Sequence, residues 1–596
     1  MKRHRILPFG AELISPDRTR FRLWAPNAQR VAVIAESPHG NLATVDLHKD
    51  NLGWHEGELR AVAGTLYRYR IDGELDVPDP ASRFNPWGVQ GPSEIVDPGG
   101  FQWTDDAWRG RPWHEAVLYE LHTGAFTKEG TFAAILPRLN ALAETGITCI
   151  ELLPVATFPG RRGWGYDGVL PFAPHFAYGR PEDLKRLVQA AHDAGLSIIL
   201  DVVYNHFGPE GNYLHRYAED FFTDRHHTPW GSAINFEGAA GRNVRDFFIE
   251  NALYWIDEYR FDGLRLDAIH AIKDDSPLHV VDELAAALED GPARDRHIHL
   301  VLENHFNEAR RLVRSRSPAK SQLSKAQWND DFHHALHVLV TGEDDGYYID
   351  YRNPLVRAGR ILAEGFAYQG ERSEFGKHLR GEPSGFLPPS AFIGFLQNHD
   401  QIGNRALGER IGQLADPAKL RAAMAILLLS PQVPLLFMGE EYAAPEPFLY
   451  FCEYRGELAD AITRGRRSEF GSFRGFDSEE ARARIPDPNA ESTFARSRLN
   501  WELRDAPPHN NWLQFTRELL RIRREQVVRL IPSIVPGRSM FAVEDEVLTV
   551  RWPLDDGRTL SLRVSFTPDR TVPPVERGLL YSAHPPASSN VQLWVS

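Results

Sequence analysis

"GLRLDAIH", residues 263–270, sets an arginine, an aspartate and a histidine in an otherwise apolar segment. Arg265 and Asp267 are two residues apart, so on a strand both side chains point to the same side. Read alone, the segment is either a half-buried strand with a structural ion pair or the floor of an active site. Its surroundings decide between the two. Short apolar runs recur at 116–122 (AVLYELH), 148–154 (TCIELLP), 197–205 (SIILDVVYN), 261–269 (FDGLRLDAI), 297–304 (HIHLVLEN), 326–330 (AQWND), 391–398 (AFIGFLQN) and 433–439 (VPLLFMG). Amphipathic stretches such as "TFAAILPRLNALAETG" and "PEDLKRLVQAAHDAG" separate the first few. Eight buried-type strands alternating with helical patterns predict a parallel (β/α)8 TIM barrel in a multidomain α/β chain.

The flanks read differently. "TRFRLWAP", "RVAVIAES" and "TLYRYRIDG" are short aromatic and β-branched runs between turn residues, which predicts an N-terminal β-sandwich over 1–105. The Pro/Gly-rich passage "DVPDPASRFNPWGVQGPSEIVDPGG" reads as a linker. The barrel is expected over 106–525, with an insertion after strand three at about 207–242. From about Gln526 short strands return ("FAVEDEVLTVRW", "TLSLRVSF"), predicting a C-terminal β-sandwich over 526–596.

Bulk composition narrows the function. The 596 residues are 42% hydrophobic and 11% aromatic, enough for about two to four packed domains. The formal charge of −14 is spread along the chain and argues against a nucleic-acid partner. The absence of a long apolar run argues against a membrane span, and the start, "MKRHRILPFGAELISPDRTR", is basic without the apolar core of a signal peptide. Two cysteines, Cys149 and Cys452, give no disulfide framework, so the expected compartment is the cytoplasm.

In a barrel, chemistry sits at the C-terminal ends of the strands. Those ends carry Asp201, Asn205 and His206; Arg265, Asp267 and His270; Glu303, Asn304 and His305; Asp330, Asp331, His333 and His334; Asn398, His399 and Asp400; and Glu440 and Glu441. Burying several acids together is costly unless function requires it. Metal hydrolysis is one reading, but neither HExxH nor a phosphate-cradling glycine motif occurs. Glycoside cleavage fits better, because it needs two carboxyl groups in unlike environments. The Arg265 guanidinium would keep Asp267 ionised as a nucleophile, while the apolar run before Glu303 favours a protonated acid.

The segments "DVVYNH", "GLRLDAIH", "LVLEN" and "FLQNHD", in that order, resemble the four motif regions of the α-amylase superfamily of retaining glycoside hydrolases. The resemblance implies that Asp267 is the nucleophile, Glu303 the acid/base and Asp400 the stabiliser that holds sugar hydroxyls. It further implies that His206, Arg265 and His399 contact sugar and that Tyr166, in "GWGYDG", is a stacking platform. Retention through a covalent glycosyl-enzyme, with the carboxyls about 5–5.5 Å apart, follows from the same resemblance. "GWGYDGVLPFAPHFAYGRPEDLK", "NDDFHHALHVLVTGE" and "FLQNHDQIGNRALGER" narrow it to the maltooligosyltrehalose trehalohydrolase family, over nearly the whole chain. That family cuts the α-1,4 bond next to a terminal trehalose unit, so maltooligosyltrehalose and related α-1,4-glucans are the implied ligands. A maltooligosyltrehalose synthase is the implied functional partner. Asp330, Asp331 and His334, and the stretch from His399 to Asn404, are implied substrate contacts, with His270 a wall of the sugar site.

Two departures stand out: Asn304 and His305 follow Glu303, and Ala271 follows His270 where many α-amylases place a calcium-binding histidine. No cofactor and no catalytic metal are expected, with a structural ion left open. Rival readings are a glucan branching or debranching enzyme on the same scaffold and a catalytically silent sugar-binding homologue. Trp24, Trp103, Trp108 and Trp113 read as packing residues and Cys149 as a small hydrophobe. The doublet Glu440–Glu441 reads as a pocket wall or a helix start, and "TRGRRSEFGSFRGF" as a solvated loop, with a border of the substrate cleft as the alternative.

Overall fold

In the computed structural model, described for residues 7–37, 39–40, 42–313, 321–472, 475–567, 575, 577–583 and 590–596, eight parallel strands close into a barrel in sequence order. They are β1 (Leu118–Leu121), β2 (Cys149–Leu152), β3 (Ser197–Val202), β4 (Gly263–Leu266), β5 (Ile298–Leu302), β6 (Leu323–Trp328), β7 (Phe392–Phe395) and β8 (Val433–Phe437). Each falls within or overlaps one of the eight apolar runs, because strands covered on both faces keep no polar alternation. Gly263 shows why β4 opens on glycine: a Cβ there would lie 2.2 Å from the His299 carbonyl oxygen on β5.

Helices cover the barrel where the sequence supplies caps and an apolar stripe. The helix Pro181–Asp193 starts on proline, and Asp183 accepts a 2.9 Å hydrogen bond from the Arg180 backbone N–H. It buries Leu184, Leu187, Val188 and Ala191 at helical spacing. The helix Pro417–Leu429 is capped by the Asp416 carboxylate on two backbone N–H groups, at 2.9 and 3.0 Å. Its "AILLL" end is buried all round, since the helix His509–Ile522 and the C-terminal sheet cover it. Each large side chain so buried contributes about 1.5–3 kcal/mol.

The N-terminal sandwich is present as two antiparallel sheets, one ordered Gly10–Ser15, Arg18–Trp24, Trp54–Leu59, His48–Lys49, the other Leu42–Asp46, Val31–Glu36, Leu66–Ile71, Leu75–Val77. Trp24 is core, 5.5 Å from the Phe221 ring of the insertion, so the sandwich packs directly on the segment that overhangs the barrel mouth. Trp108 stacks on His192 and donates to Asp262 at 2.8 Å, and Trp113 is buried, both packing roles. The C-terminal part is an antiparallel five-stranded sheet (Met540–Glu544, Val547–Pro553, Thr559–Ser565, Asn590–Val595, Leu579–Ser582 in spatial order). Among the described residues the opposing layer is formed by barrel helices and not by a second sheet: Trp552 donates to the Leu362 carbonyl at 3.0 Å from beneath the helix Pro354–Glu364.

Two readings are corrected here. The passage 76–100 is not a linker. Its Asp79 is fully buried, accepting from Tyr67 Oη at 2.7 Å and from the Ala81 N–H at 2.8 Å, and Ser82, Asn85 and Ser93 are buried beside it. Turn-rich composition marks irregular backbone, but side chain-to-backbone hydrogen bonds let that backbone pack. Likewise "TRGRRSEFGSFRGF" is not a solvated loop: most of its described part lies in the helix Gly456–Glu469. Arg466 there is buried and donates to the Gly403 carbonyl at 2.5 Å. Residues 473–474 of that segment and 1–6 of the basic start lie outside the described residues. No helix among the described residues is long and apolar enough to cross a membrane.

Candidate active site

The C-terminal rim gathers carboxylates around one guanidinium. Arg265 on β4 is 1% exposed, and its two terminal nitrogens serve three acids. Nη1 donates to Asp201 Oδ2 at 2.7 Å and to Asp267 Oδ1 at 2.9 Å, and Nη2 donates to Glu303 Oε2 at 2.7 Å. The guanidinium lies 4.1 Å over the Trp328 ring, which fixes its plane from β6. So the candidate nucleophile and the candidate acid sit at the two ends of one rigid fork.

Unlike surroundings then separate the two acids. Burial alone would push the Asp267 carboxyl up. Arg265, a 2.8 Å hydrogen bond from Asn205 Nδ2 and the nearby His206 more than offset it, leaving Asp267 below the ordinary carboxylate range. Burial pushes Glu303 well above that range, and Asp267, Asp400 and Asp330 add to the rise against the pull of Arg265. Glu303 Oε2 also accepts from the Ala268 N–H at 2.8 Å, which requires the chain to turn sharply after Asp267. Ala268 makes that turn at φ 39°, a left-handed conformation that costs a non-glycine residue about 1–3 kcal/mol.

Of the other expected residues, Tyr166 donates to Asp201 Oδ2 at 2.7 Å and stacks on His399 with ring centroids 5.1 Å apart. Asp201 is pushed up to about 6 by burial, with Asp267 adding and Arg265 and Tyr166 opposing. His206 stacks face to face on Trp230 at 4.2 Å, and burial lowers its pKa. His270 lies beside His305 and Phe306, its pKa lowered by burial. Asp330 is partly exposed and pushed up to about 7 by burial, Asp400 and Asp331 adding. Asn404 donates to Asp400 Oδ1 at 2.5 Å, within the short helix His399–Gly403 and its cap. That helix lies against Trp164: a Cβ on Gly403 would approach the indole to 2.1 Å. His334 is packed against Tyr347 and Tyr351, and burial takes its pKa well below the ordinary value.

Asp331 departs from its expected role. It is 0% exposed, and its oxygens accept from Tyr351 Oη (2.5 Å), Asn307 Nδ2 (3.1 Å) and the Ala367 N–H (2.7 Å), with Arg380 at 3.0 Å. A carboxylate with no exposed surface that already accepts three protein hydrogen bonds beside an arginine presents no oxygen to a substrate, so Asp331 braces the loops behind the site. Neighbouring residues in a helix point about 100° apart, which puts Asp330 and Asp331 on different faces. The Glu440–Glu441 doublet also stays clear of the acid cluster: Glu441 accepts from Tyr119 Oη at 3.0 Å and Glu440 from the Phe437 N–H at 2.9 Å.

Several site residues escaped the sequence reading. Glu120 on β1 accepts from the His399 N–H at 3.0 Å and lies 2.5 Å from His399 Nδ1. Burial would lower the His399 pKa, but Glu120, with Asp400 adding, raises it above the ordinary imidazole value. Glu151 on β2 is in register with Glu120; neither of its oxygens has a hydrogen-bond partner, and burial pushes its pKa well up. The signal was there: an acid inside "LYEL" and another inside "IELL" have no solvent to face in a barrel. Trp230 carried no such signal, because nothing in a loop sequence says which ring it will cover.

Barrel, sandwich and acid-lined rim together define a glycosidase of the α-amylase superfamily. Residues 98–251 match the model of the alpha amylase catalytic domain, and residues 8–88 that of carbohydrate-binding module 48, the isoamylase N-terminal domain. The malto-oligosyltrehalose trehalohydrolase of Deinococcus radiodurans is 43% identical over 517 residues, 86% of this chain and 82% of that protein. The one from Saccharolobus solfataricus is 39% identical over 523 residues, 87% of each. A crystal structure of a putative alpha amylase from Salmonella typhimurium superposes with a TM-score of 0.92 at 42% identity, covering 99% of this chain and 100% of that one. A branching enzyme from Geobacillus stearothermophilus matches only 44% of the chain, at 32% identity. The chain belongs to the malto-oligosyltrehalose trehalohydrolase family.

Proposed function

We propose that the enzyme hydrolyses the α-1,4 glucosidic bond next to the terminal trehalose of maltooligosyltrehalose, releasing trehalose and a maltooligosaccharide with retention at the cleaved carbon. Asp267 attacks the anomeric carbon while Glu303 protonates the departing oxygen, which forms a glycosyl-enzyme ester. Glu303, now ionised, takes a proton from water as that water displaces Asp267. Asp400 binds sugar hydroxyls and stabilises the oxocarbenium-like transition state, with Tyr166, His206, Arg265 and His399 around the ring. Asp330, His334, His270 and Asn404 complete the wall.

The single observation that supports the acid/base assignment best is the shared Arg265 fork, with Asp267 held below and Glu303 well above the ordinary range. The bond preference rests on family membership, over more than four-fifths of the chain. The reaction belongs in trehalose biosynthesis, after a synthase that makes the terminal trehalose unit. Buried, unpaired Cys149 and Cys452 support the cytoplasm as its compartment. Incubating the protein separately with maltohexaose and with maltooligosyltrehalose tests the reading. Free trehalose from the second, with little action on the first, is the expected result. New α-1,6 linkages would assign a branching enzyme instead, and glucan affinity without turnover a silent homologue.

A further inference from the structure

Asp400 lies in the five-residue helix His399–Gly403, too short to hold its own geometry. Its last turn closes on the bond from the Asn404 N–H to the Asp400 carbonyl, at 3.0 Å. A group that meets sugar in the transition state must nevertheless be placed to within about 0.5 Å. The support comes from elsewhere in the chain.

On one side the Trp164 indole, fixed by its 3.0 Å bond to the Leu449 carbonyl, leaves no room for a side chain at Gly403. On the other is Arg466, from the helix Gly456–Glu469. Its Nη2 donates to the Gly403 carbonyl at 2.5 Å and to the Arg405 carbonyl at 3.2 Å, and its Nη1 to Asn404 Oδ1 at 3.4 Å. One guanidinium thus holds three consecutive residues where a helix leaves its carbonyls without partners. Nη1 also meets Glu469 Oε2 at 3.1 Å, a pair open to solvent through Glu469 that contributes little. The Phe470 and Tyr450 rings, 4.7 and 5.6 Å from the guanidinium carbon, fix its plane.

The Asn404 amide relays this grip. It accepts from Arg466 through Oδ1 and donates through Nδ2 to Asp400 Oδ1 at 2.5 Å. Without a donor on Oδ1 the amide is free to turn over and set its oxygen against the Asp400 carboxylate. Burial lowers the Arg466 pKa while Glu469, Tyr450 and Asp400 oppose it, so the aspartate is near enough to act on the guanidinium.

We propose that Arg466 is a positioning residue for the reaction: through Asn404 and the carbonyls of Gly403 and Arg405 it aims the Asp400 carboxylate at the sugar hydroxyls. This rests on the role proposed above for Asp400.

Initial rates on maltooligosyltrehalose, with a denaturant melt of each variant, test it. Arg466→Met removes the grip. Arg466→Lys keeps the charge on a good helix former, loses the planar fork, and carries the test if the methionine variant melts early. Because Asp400 acts mainly in the transition state, kcat should fall about 10–100-fold in both, with KM within about threefold of wild type. Asp400→Asn should cost several orders of magnitude by itself. Either Arg466 change added to it should then alter kcat by less than about threefold, since the residue it serves is gone. A general bracing role would instead lower the rate again by the same factor. Wild-type kcat in both Arg466 variants, or the full loss repeated in the Asp400→Asn background, overturns the proposal. Wild-type rates in Asp400→Asn alone would remove the reading of Asp400 and this proposal with it, so the two failures are told apart.

Discussion

Replacing Arg265 with lysine keeps one positive charge at the barrel rim and removes the fork. Wild-type Arg265 makes three charge-assisted hydrogen bonds, at 2.7, 2.9 and 2.7 Å, to Asp201, Asp267 and Glu303. A lysine ammonium is a compact tetrahedral charge without the planar fork and satisfies one of them well, so about two are lost at about 1.5–3 kcal/mol each. If both are at work in the transition state, the barrier rises by about 3–6 kcal/mol, on the order of 10²–10⁴ in kcat at 1.36 kcal/mol per tenfold. Arg265→Met is harsher: it strands three acids, and breaking a buried pair costs about 3–5 kcal/mol of stability. The diagnostic difference lies in pH. With the fork gone, Asp267 loses the attraction that keeps it low, so in Arg265→Lys the acid limb of kcat/KM moves to higher pH. Initial rates on maltooligosyltrehalose from acid to alkaline pH, with a thermal melt at each pH, measure both effects. A lysine variant with kcat within tenfold of wild type and an unmoved acid limb refutes the claim that the guanidinium sets the ionisation of the pair.

Three further outcomes follow from the same geometry. Because the proposed mechanism needs Asp267 ionised and Glu303 protonated, kcat/KM should be bell-shaped, with macroscopic limbs belonging to the coupled pair; Glu303→Gln should lose several orders of magnitude in kcat and, with them, the alkaline limb. Glu120→Gln weakens one charge-assisted bond to His399, so kcat/KM should fall about 10–100-fold with the melt little changed; an unaltered pH profile would mean that Glu120 does not act through the imidazole. Glu441 is pushed up to about 7 by burial, above its unfolded value, so its contribution to stability is present at low pH and lost as pH rises through 7. Glu441→Gln should therefore gain on wild type between about pH 4.5 and 7 by something on the order of 3 kcal/mol and run parallel above that, as read by denaturant melts.

Much of this molecule is written locally. A strand covered on both faces must be apolar throughout, so eight runs named eight barrel strands, and the polar residues ending them named the acids of the rim. "GLRLDAIH" fixed by its own spacing that Arg265 and Asp267 share a face, and the fold adds only the third and fourth partners. What the tertiary structure alone decided is which side of each neighbouring pair faces the cleft. Asp330 and Asp331 differ by one residue, yet one is partly open beside Glu303 and the other is fully buried, accepting from Tyr351, Asn307 and Ala367 beside Arg380. The same holds for Arg466, whose basic, helix-tolerant segment gives no sign that it grips Gly403, and for Glu120, whose meaning comes from His399, 279 positions away. Spacing along a chain determines direction within one element. Partners contributed by distant elements, and the burial that raises Glu303 while Arg265 lowers Asp267, exist only once the barrel has closed.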